Sequence, residues 1–358
     1  MSSPDAVRNG PSIAATATAV PPHLMSRDKV KTYFEKAFTL DPRRLSGIHA
    51  VVDNSQIENR FSVFPLDYFI EARSLAQISQ EYQECAIRLG RQVTEDCLER
   101  ARLKPTDIDM FVTVSCTGVM IPSLDAHLMN QLGFRSDVRR LPITELGCAA
   151  GAAAFTRAWE YLQAYPDRNV LIVAVELPTL TFQRGDLSQA NLVSCALFGD
   201  GAGAAIVTGR PTRGPQILAS ESYLFPDSIA AMGFDLRDTG FHIVLSRDVP
   251  QLIRSKIKGL VNGFLETNGI AREQLSAFIL HPGGQKLLAY LEEELGLCRC
   301  ETQLSWDVLR DFGNLSSATI LFVLHEWLTK KTIAAGQYGL MAAFGPGFSS
   351  EMLLLRWK

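Results

Sequence analysis

The stretch that most constrains this chain is Glu145-Leu146-Gly147-Cys148-Ala149-Ala150-Gly151-Ala152-Ala153-Ala154. It joins a Gly-flanked cysteine to a run of the smallest side chains. A helix is predicted over 149–162, and its small residues let it be buried with its end close against a neighbouring strand. Cys148 then stands at a helix N-terminus, where free N–H groups and the positive end of the dipole favour a thiolate. The competing reading is a packed core cysteine, the commonest fate of a free thiol.

Around this segment, strand-like and helix-like stretches alternate. Apolar positions at helical spacing run through 76–103, and short apolar runs at 110–114, 169–175 and 203–207 predict buried strands. Helices are predicted over 123–132, with Ser123 as cap, and over 191–197. Gly209, Pro211, Gly214 and Pro215 mark a boundary, giving halves 1–210 and 211–358. Beyond it, strands at 216–219 and 242–245 lead to a helix at 249–266. Strand 278–280, helices 285–294 and 316–328, and strands 340–344 and 352–357 follow. Such alternation predicts an α/β fold with helices covering sheets. No internal repeat or low-complexity segment appears, and residues 1–10 read as a frayed tail.

Composition removes several classes of function. The 358 residues are 47% hydrophobic and 20% charged, with net charge −3, so no basic field exists to hold nucleic acid or an acidic membrane. No stretch of about 18 apolar residues predicts a transmembrane span, and 1–22 lacks a secretory pattern. The seven cysteines are odd in number and show no CxxC spacing. Neither a disulfide framework nor a zinc site is therefore expected, Cys298 and Cys300 included, and a reducing cytoplasm fits.

Two further segments carry chemistry. Phe278-Ile279-Leu280-His281-Pro282-Gly283-Gly284 places a histidine at the carboxyl end of a strand, where open α/β sheets present ligands. Of the other histidines, His127 and His325 fit helical patterns, His242 alternates in a strand, and His23 and His49 lie in weakly patterned segments. Phe312-Gly313-Asn314-Leu315-Ser316-Ser317-Ala318 sets an asparagine before a helix, and a helix cap is the competing reading. Taken together, Cys148, His281 and Asn314 give a nucleophile with two neutral donors. The histidine can raise the thiolate fraction, and both donors can hold a thioester oxyanion or an enolate.

With these segments in view, the chain resembles the type III polyketide synthases, the chalcone-synthase-like branch of the thiolase-fold condensing enzymes. Leu197-Phe198-Gly199-Asp200-Gly201-Ala202-Gly203 is similar to the family's gatekeeper motif, and Gly345-Pro346-Gly347 to its C-terminal loop. Val114 to Ser123 resembles bacterial members. The resemblance implies a thiolase-like five-layered αβαβα fold, a homodimer, acyl-CoA and malonyl-CoA as substrates, and no metal or organic cofactor. It also implies Phe198 as gatekeeper and Cys116, Thr117, Thr181, Phe234, Ile243, Ser316 and Gly347 as pocket residues. Ile121 falls where the family reaches across its dimer. Ile243 replaces a second Phe gate of plant members, and Phe234 stands where chalcone-type enzymes have Gly. Residues 47–57 lack the plant Lys/Arg cluster for CoA phosphates, leaving Arg43, Arg44 and Arg60, with Gly283 and Gly284, as the expected CoA contacts.

The motifs also separate near relatives. Ketoacyl synthase III enzymes usually follow their histidine with Gln-Ala-Asn, where this chain has Pro282-Gly283-Gly284. Hydroxymethylglutaryl-CoA synthases need a general-acid Glu, and the segment flanking Glu145 does not match them. The expected activity is condensation of malonyl-CoA onto a medium- or long-chain acyl starter on Cys148, giving an alkylpyrone or alkylresorcinol. A malonyl-CoA-only synthase of a tetrahydroxynaphthalene is the alternative. A vestigial acyl-thioester binder is the non-enzymatic reading, and the intact Cys-His-Asn set argues against it.

Overall fold

A computed structural model describes residues 10–358. The tail expected over 1–10 lies, apart from Gly10, outside the described residues. The first half begins with β1 (Ser12–Ala19), β2 (His23–Ser26), α1 (Arg27–Ala37), α2 (Pro42–Asn54) and β3 (Asn59–Ser62). It continues through α3 (Leu75–Ala101), β4 (Met110–Val114), α4 (Leu124–Leu132), β5 (Arg139–Ile143) and α5 (Ala150–Ala164). It closes with β6 (Asn169–Glu176), α6 (Gln189–Leu197) and β7 (Gly201–Thr208).

The second half opens with β8 (Gln216–Leu224) and the hairpin β9 (Met232–Arg237) and β10 (Gly240–Leu245). Then come α7 (Val249–Thr267), β11 (Leu275–Leu280), α8 (Gln285–Leu295), α9 (Arg299–Phe312) and α10 (Thr319–Lys330). β12 (Tyr338–Gly345) and β13 (Ser349–Arg356) complete it.

Nine strands connect in the order β11-β12-β13-β8-β1-β7-β6-β4-β5. β1 and β8 meet at one pair only, Ser12 with Gln216, so the sheet divides there into a four-stranded and a five-stranded part. Helix α3 packs on β1, β6 and β7, and α4 lies beside α3 on the same outer face. Helices α7, α8 and α9 share a core with β11, β12 and β13 on the opposite outer face. Between the two parts lie α5, which touches β4 and β6 on one side and β12 and β13 on the other, and α10, which touches β1, β7 and β11. Helix, sheet, helix, sheet, helix is the thiolase-like layering.

That central layer explains the small-residue run. Ala150, Gly151, Ala152, Ala153 and Ala154 are all buried. A Cβ on Gly151 would stand 2.2 Å from the Ser317 carbonyl oxygen and 2.6 Å from Ile320 Cγ2. Two helices approach this closely only through glycine, and a larger residue would force the start of α10 away at a cost of about 1–3 kcal/mol.

The structure departs from the sequence expectations at several places. Helix α9 was not anticipated, nor were β1, β2, β3, β5, β9 and the helices α1 and α2. The helix expected over 316–328 starts with a 3-10 turn, Ser316–Ala318, before α10. Ser123 occupies the cap position of α4, but its hydroxyl accepts from Arg140 rather than from the helix backbone. Cys298 and Cys300 are paired as a disulfide, which corrects the expectation of none at this place. The bridge spans one residue at the start of α9, so it clips a turn and is no framework for the fold. Among the described residues, no helix is long and apolar enough to cross a membrane.

Candidate active site

Three chain reversals converge on one cavity of about 830 Å³. Cys148 sits in the 3-10 turn Gly147–Ala149 that leads into α5. Gly147 has φ +49, and a Cβ there would stand 2.4 Å from Pro346 Cδ, so only glycine lets this turn close against the loop after β12. His281 is the first residue after β11, and its N–H bonds the Ala342 carbonyl on β12. Asn314 follows α9 and Gly313, whose φ is +70. All three line the cavity, and no other histidine does.

The amide of Asn314 is fixed from both ends. Its Oδ1 accepts from the Ser316 N–H at 2.8 Å, and its Nδ2 donates to the Gly283 carbonyl at 3.1 Å. The second Nδ2 hydrogen remains to donate elsewhere. Asn314 is thus both a local backbone anchor, as the cap reading expected, and a positioned donor. A bridge between Phe198 and Asn314 ties the end of α6 to this loop, with Gly199 N donating to Asn314 O at 3.1 Å.

Burial sets the resting protonation. It pushes the Cys148 thiol up to about 12, with the Ser316 hydroxyl 3.5 Å away pulling it down and Glu176 pushing it further up. Burial likewise lowers the His281 imidazole to about 4, and His281 Nδ1 has no hydrogen-bond partner. Each charge is unfavourable by itself. The neutral imidazole of His281 lines the same cavity and is a base that can take the thiol proton.

Beneath the nucleophile lies a residue that sequence reading missed. Glu176 ends β6, has no exposure, and accepts from Thr117 Oγ1 at 2.7 Å, from Cys116 N at 3.1 Å and from Ser317 Oγ. Burial raises its pKa, and these donors oppose the rise. The available signal was a single carboxylate closing an otherwise apolar strand. Ser316 has φ +50, and its hydroxyl lies 3.3 Å from Cys116 Sγ and 3.5 Å from Cys148 Sγ.

The remaining expected residues divide. Phe198, Cys116, Thr117, Thr181, Phe234, Ile243, Ser316, Gly283 and Gly284 line the cavity. Gly347 does not, although its neighbour Pro346 does. Ile121 is 91% exposed and outside the lining. Arg43 and Arg44 are exposed on the first turn of α2, also outside it, and Arg44 is tied to the Leu187 carbonyl at 2.5 Å. Arg60 is the clear correction. It is 2% exposed and donates to the carbonyls of Cys195 and Phe198 at 2.7 and 2.8 Å, so it braces the chain behind Phe198 and cannot reach a phosphate in solvent. Among the described residues, no group of three or more metal-ligating side chains gathers.

Comparison with known proteins decides the family. Residues 3–211 match the N-terminal domain of chalcone and stilbene synthases, and residues 216–357 match their C-terminal domain. The chain belongs to the chalcone and stilbene synthase family. It is a type III polyketide synthase, an acyl-transferring condensing enzyme. A 1,3,6,8-tetrahydroxynaphthalene synthase of Streptomyces peucetius subsp. caesius is 35% identical over 98% of this chain and 94% of its own. A putative chalcone synthase of Bacillus subtilis (strain 168) is 33% identical over 97% and 98%. The crystal structure of the tetrahydroxynaphthalene synthase of Streptomyces coelicolor A3(2), described as a bacterial type III polyketide synthase, superposes with TM-score 0.93 at 33% identity, covering 97% of this chain and 99% of that one.

Proposed function

We propose that the synthase loads an acyl-CoA with an apolar tail on Cys148 and extends it with malonyl-CoA, forming an alkylpyrone or alkylresorcinol. The observation that carries the chemistry is the convergence of Cys148, His281 and Asn314 on one cavity. Cys148 Sγ attacks the starter thioester, its proton passes to His281, and CoA leaves as the thiol with that proton. Malonyl-CoA then loses carbon dioxide. The enolate oxygen is held by His281 and the free Nδ2 hydrogen of Asn314, so no strong base is needed. The enolate carbon attacks the acyl carbonyl, a C–C bond forms, and the Cys148 thiolate departs. Cys148, His281 and Asn314 are buried at the inner end of the cavity, away from its open mouth, which shields both enolate and thioester from bulk water.

The apolar-tail reading is supported by the wall of the cavity, where Met232, Phe234, Phe241, Ile243, Leu245 and Ile253 form a continuous apolar face. The alternative course for the tail is a tunnel leaving past Cys116 and Thr181 toward the dimer face. The cavity lining reaches those two residues and does not continue to Ile121, so the tail is assigned to the β9–β10 side instead. A second reading, malonyl-CoA alone giving a tetrahydroxynaphthalene, is supported by that missing extension and by the names of the relatives above. Incubation with malonyl-CoA and a panel of acyl-CoA starters, read by mass spectrometry, tests both. Consumption of octanoyl-CoA and longer starters supports the first reading, and product from malonyl-CoA alone supports the second.

The same proposal includes a cytoplasmic homodimer. Val119 and Ile121 are 54% and 91% exposed on one short loop, an apolar surface that a partner would cover. Light scattering showing an active monomer at micromolar concentration would remove this part.

A further inference from the structure

The cavity opens to solvent between α2 and the first turns of α7 and α8, and the two rims differ in charge. The α2 rim presents Gly47, Ala50 and Asn54, all exposed and none charged. The opposite rim presents Arg247, just before α7, and Lys286, in the first turn of α8. Both side chains are exposed, and among the described residues neither has a hydrogen-bond or ion-pair partner. Neighbouring Arg254 on α7 is by contrast held by Glu293 and Glu294, outside the cavity lining. Asp248, beside Arg247, is engaged by Ser246 instead. Two uncommitted cations therefore lie on one rim of a mouth whose other rim is neutral.

We propose that Arg247 and Lys286 are the anchor for the phosphate end of the CoA thioester, and that α2 contributes shape but no charge to it. This rests on the reading of the substrates as CoA thioesters. The chain carries a net charge of −3 and CoA is a polyanion, so long-range repulsion must be offset by local positive charge at the mouth. The lining runs without a break from Lys286 through Gly284 and Gly283 to His281, which is the path a pantetheine arm needs to bring its thioester to Cys148. The inference also explains why Arg60 can be buried as a backbone brace: the phosphate contact expected of it is met from the far rim.

Calorimetric titration of the full-length protein with CoA tests the anchor without requiring turnover. Arg247→Glu and Lys286→Glu are each expected to weaken CoA binding about fivefold, and the double variant about 30-fold at low salt, the scale of exposed charge pairs without compensation. The wild-type affinity should fall as salt rises, and that of the double variant should be flatter. Arg43→Glu makes the same charge change on the α2 rim outside the cavity and should shift the affinity less than twofold. In turnover, the double variant should lose about tenfold or more of its preference for malonyl-CoA over malonyl-pantetheine, which lacks the nucleotide phosphates. A double variant within twofold of wild type for CoA, or one that loses malonyl-pantetheine equally, overturns the anchor. A wild-type protein that does not bind CoA overturns it as well. A wild-type protein that binds CoA through these two residues but consumes no malonyl-CoA upholds the anchor and removes the functional reading instead.

Discussion

The two ends of the cavity are built differently. At the inner end, Cys148, His281, Asn314 and Glu176 are buried and come from four separate loops or strand ends. Asn314 is fixed by two hydrogen bonds and Glu176 by several donors, while His281 Nδ1 has no partner. At the outer end, the β9–β10 hairpin is half-exposed and pairs only with itself, and its Phe234 and Phe241 rings meet edge to face at 5.5 Å. The difference teaches where change is tolerated. A preorganised polar centre loses its chemistry when one partner is removed, whereas an apolar wall adjusts its shape for a modest cost.

The largest effects should therefore fall at the inner end. Cys148→Ala is expected to lower chain extension by at least about 1,000-fold, as loss of a covalent nucleophile does. Malonyl-CoA decarboxylation should survive, because its donors remain. Product assay beside carbon dioxide release separates the two. Extension persisting in this variant would show that another thiol, Cys116 above all, can carry the chain. Next, His281→Ala and Asn314→Ala should each slow decarboxylation about 100-fold, the scale for one preorganised donor. An Asn314→Ala enzyme with unchanged decarboxylation would reduce Asn314 to its backbone contacts with Ser316 and Gly283.

Burial of the thiol gives a pH test of the same pair. With His281 in place, iodoacetamide should modify Cys148 rapidly at neutral pH, ahead of the other cavity thiol, Cys116. In His281→Ala burial still acts and the proton acceptor is gone, so the thiol should stay well above its ordinary range. Its alkylation rate should then rise about tenfold per pH unit from pH 7 to 10 with no plateau, since the thiolate fraction grows tenfold per unit below the pKa. Equal pH profiles for the two proteins would mean that His281 does not take the proton.

These residues were legible from sequence because each sits beside a backbone signal. Gly147 and the alanine run announce Cys148, Pro282-Gly283-Gly284 announces His281, and Gly313 announces Asn314. The buried strands β4, β6 and β7 were equally readable, being unbroken apolar runs. β1 was not, because its many alanines have little strand character and its central place comes from pairing with β7. α9 and β9 did carry signals that were passed over: Leu304, Val308 and Leu309 recur at helical spacing on the buried face of α9, and Met232, Phe234 and Leu236 alternate with Gly233, Asp235 and Arg237 along the short β9. Glu176 and the buried role of Arg60 were missed for one reason. Both depend on residues more than 50 positions away, and spacing carries no record of such contacts.

Glu176 should show a smaller effect, felt in stability. Glu176→Gln replaces an acceptor facing several donors and is expected to cost about 2 kcal/mol near pH 5, the scale for an unsatisfied buried group. Burial holds the native carboxyl above its unfolded pKa, so the stability it contributes is fully present below the unfolded value and lost as pH rises through the folded one. The difference between the two proteins should therefore shrink from pH 5 to pH 8 in urea denaturation. A gap that widens with pH would mean that the ionised carboxylate is the stabilising form.

The smallest changes are expected at the outer wall, where starter choice is assigned. A methylene fully buried there contributes about 0.8 kcal/mol, close to fourfold in affinity. The wall is only half-buried, so the gain per carbon should be lower, about twofold. KM for acyl-CoA starters should then fall steadily with chain length until the wall is covered and rise beyond it, with octanoyl-CoA outcompeting coumaroyl-CoA. Phe234→Ala removes a ring that narrows this side and should move the optimum to longer chains, with kcat/KM for malonyl-CoA changed less than about tenfold. Thr181→Phe, on the side where the lining stops, should leave the optimum in place. A length profile that responds to Thr181→Phe and ignores Phe234→Ala would put the tail back on the dimer side. A flat profile in the wild-type enzyme, with product formed from malonyl-CoA alone, would take the apolar wall out of starter selection and leave it to shape cyclisation only.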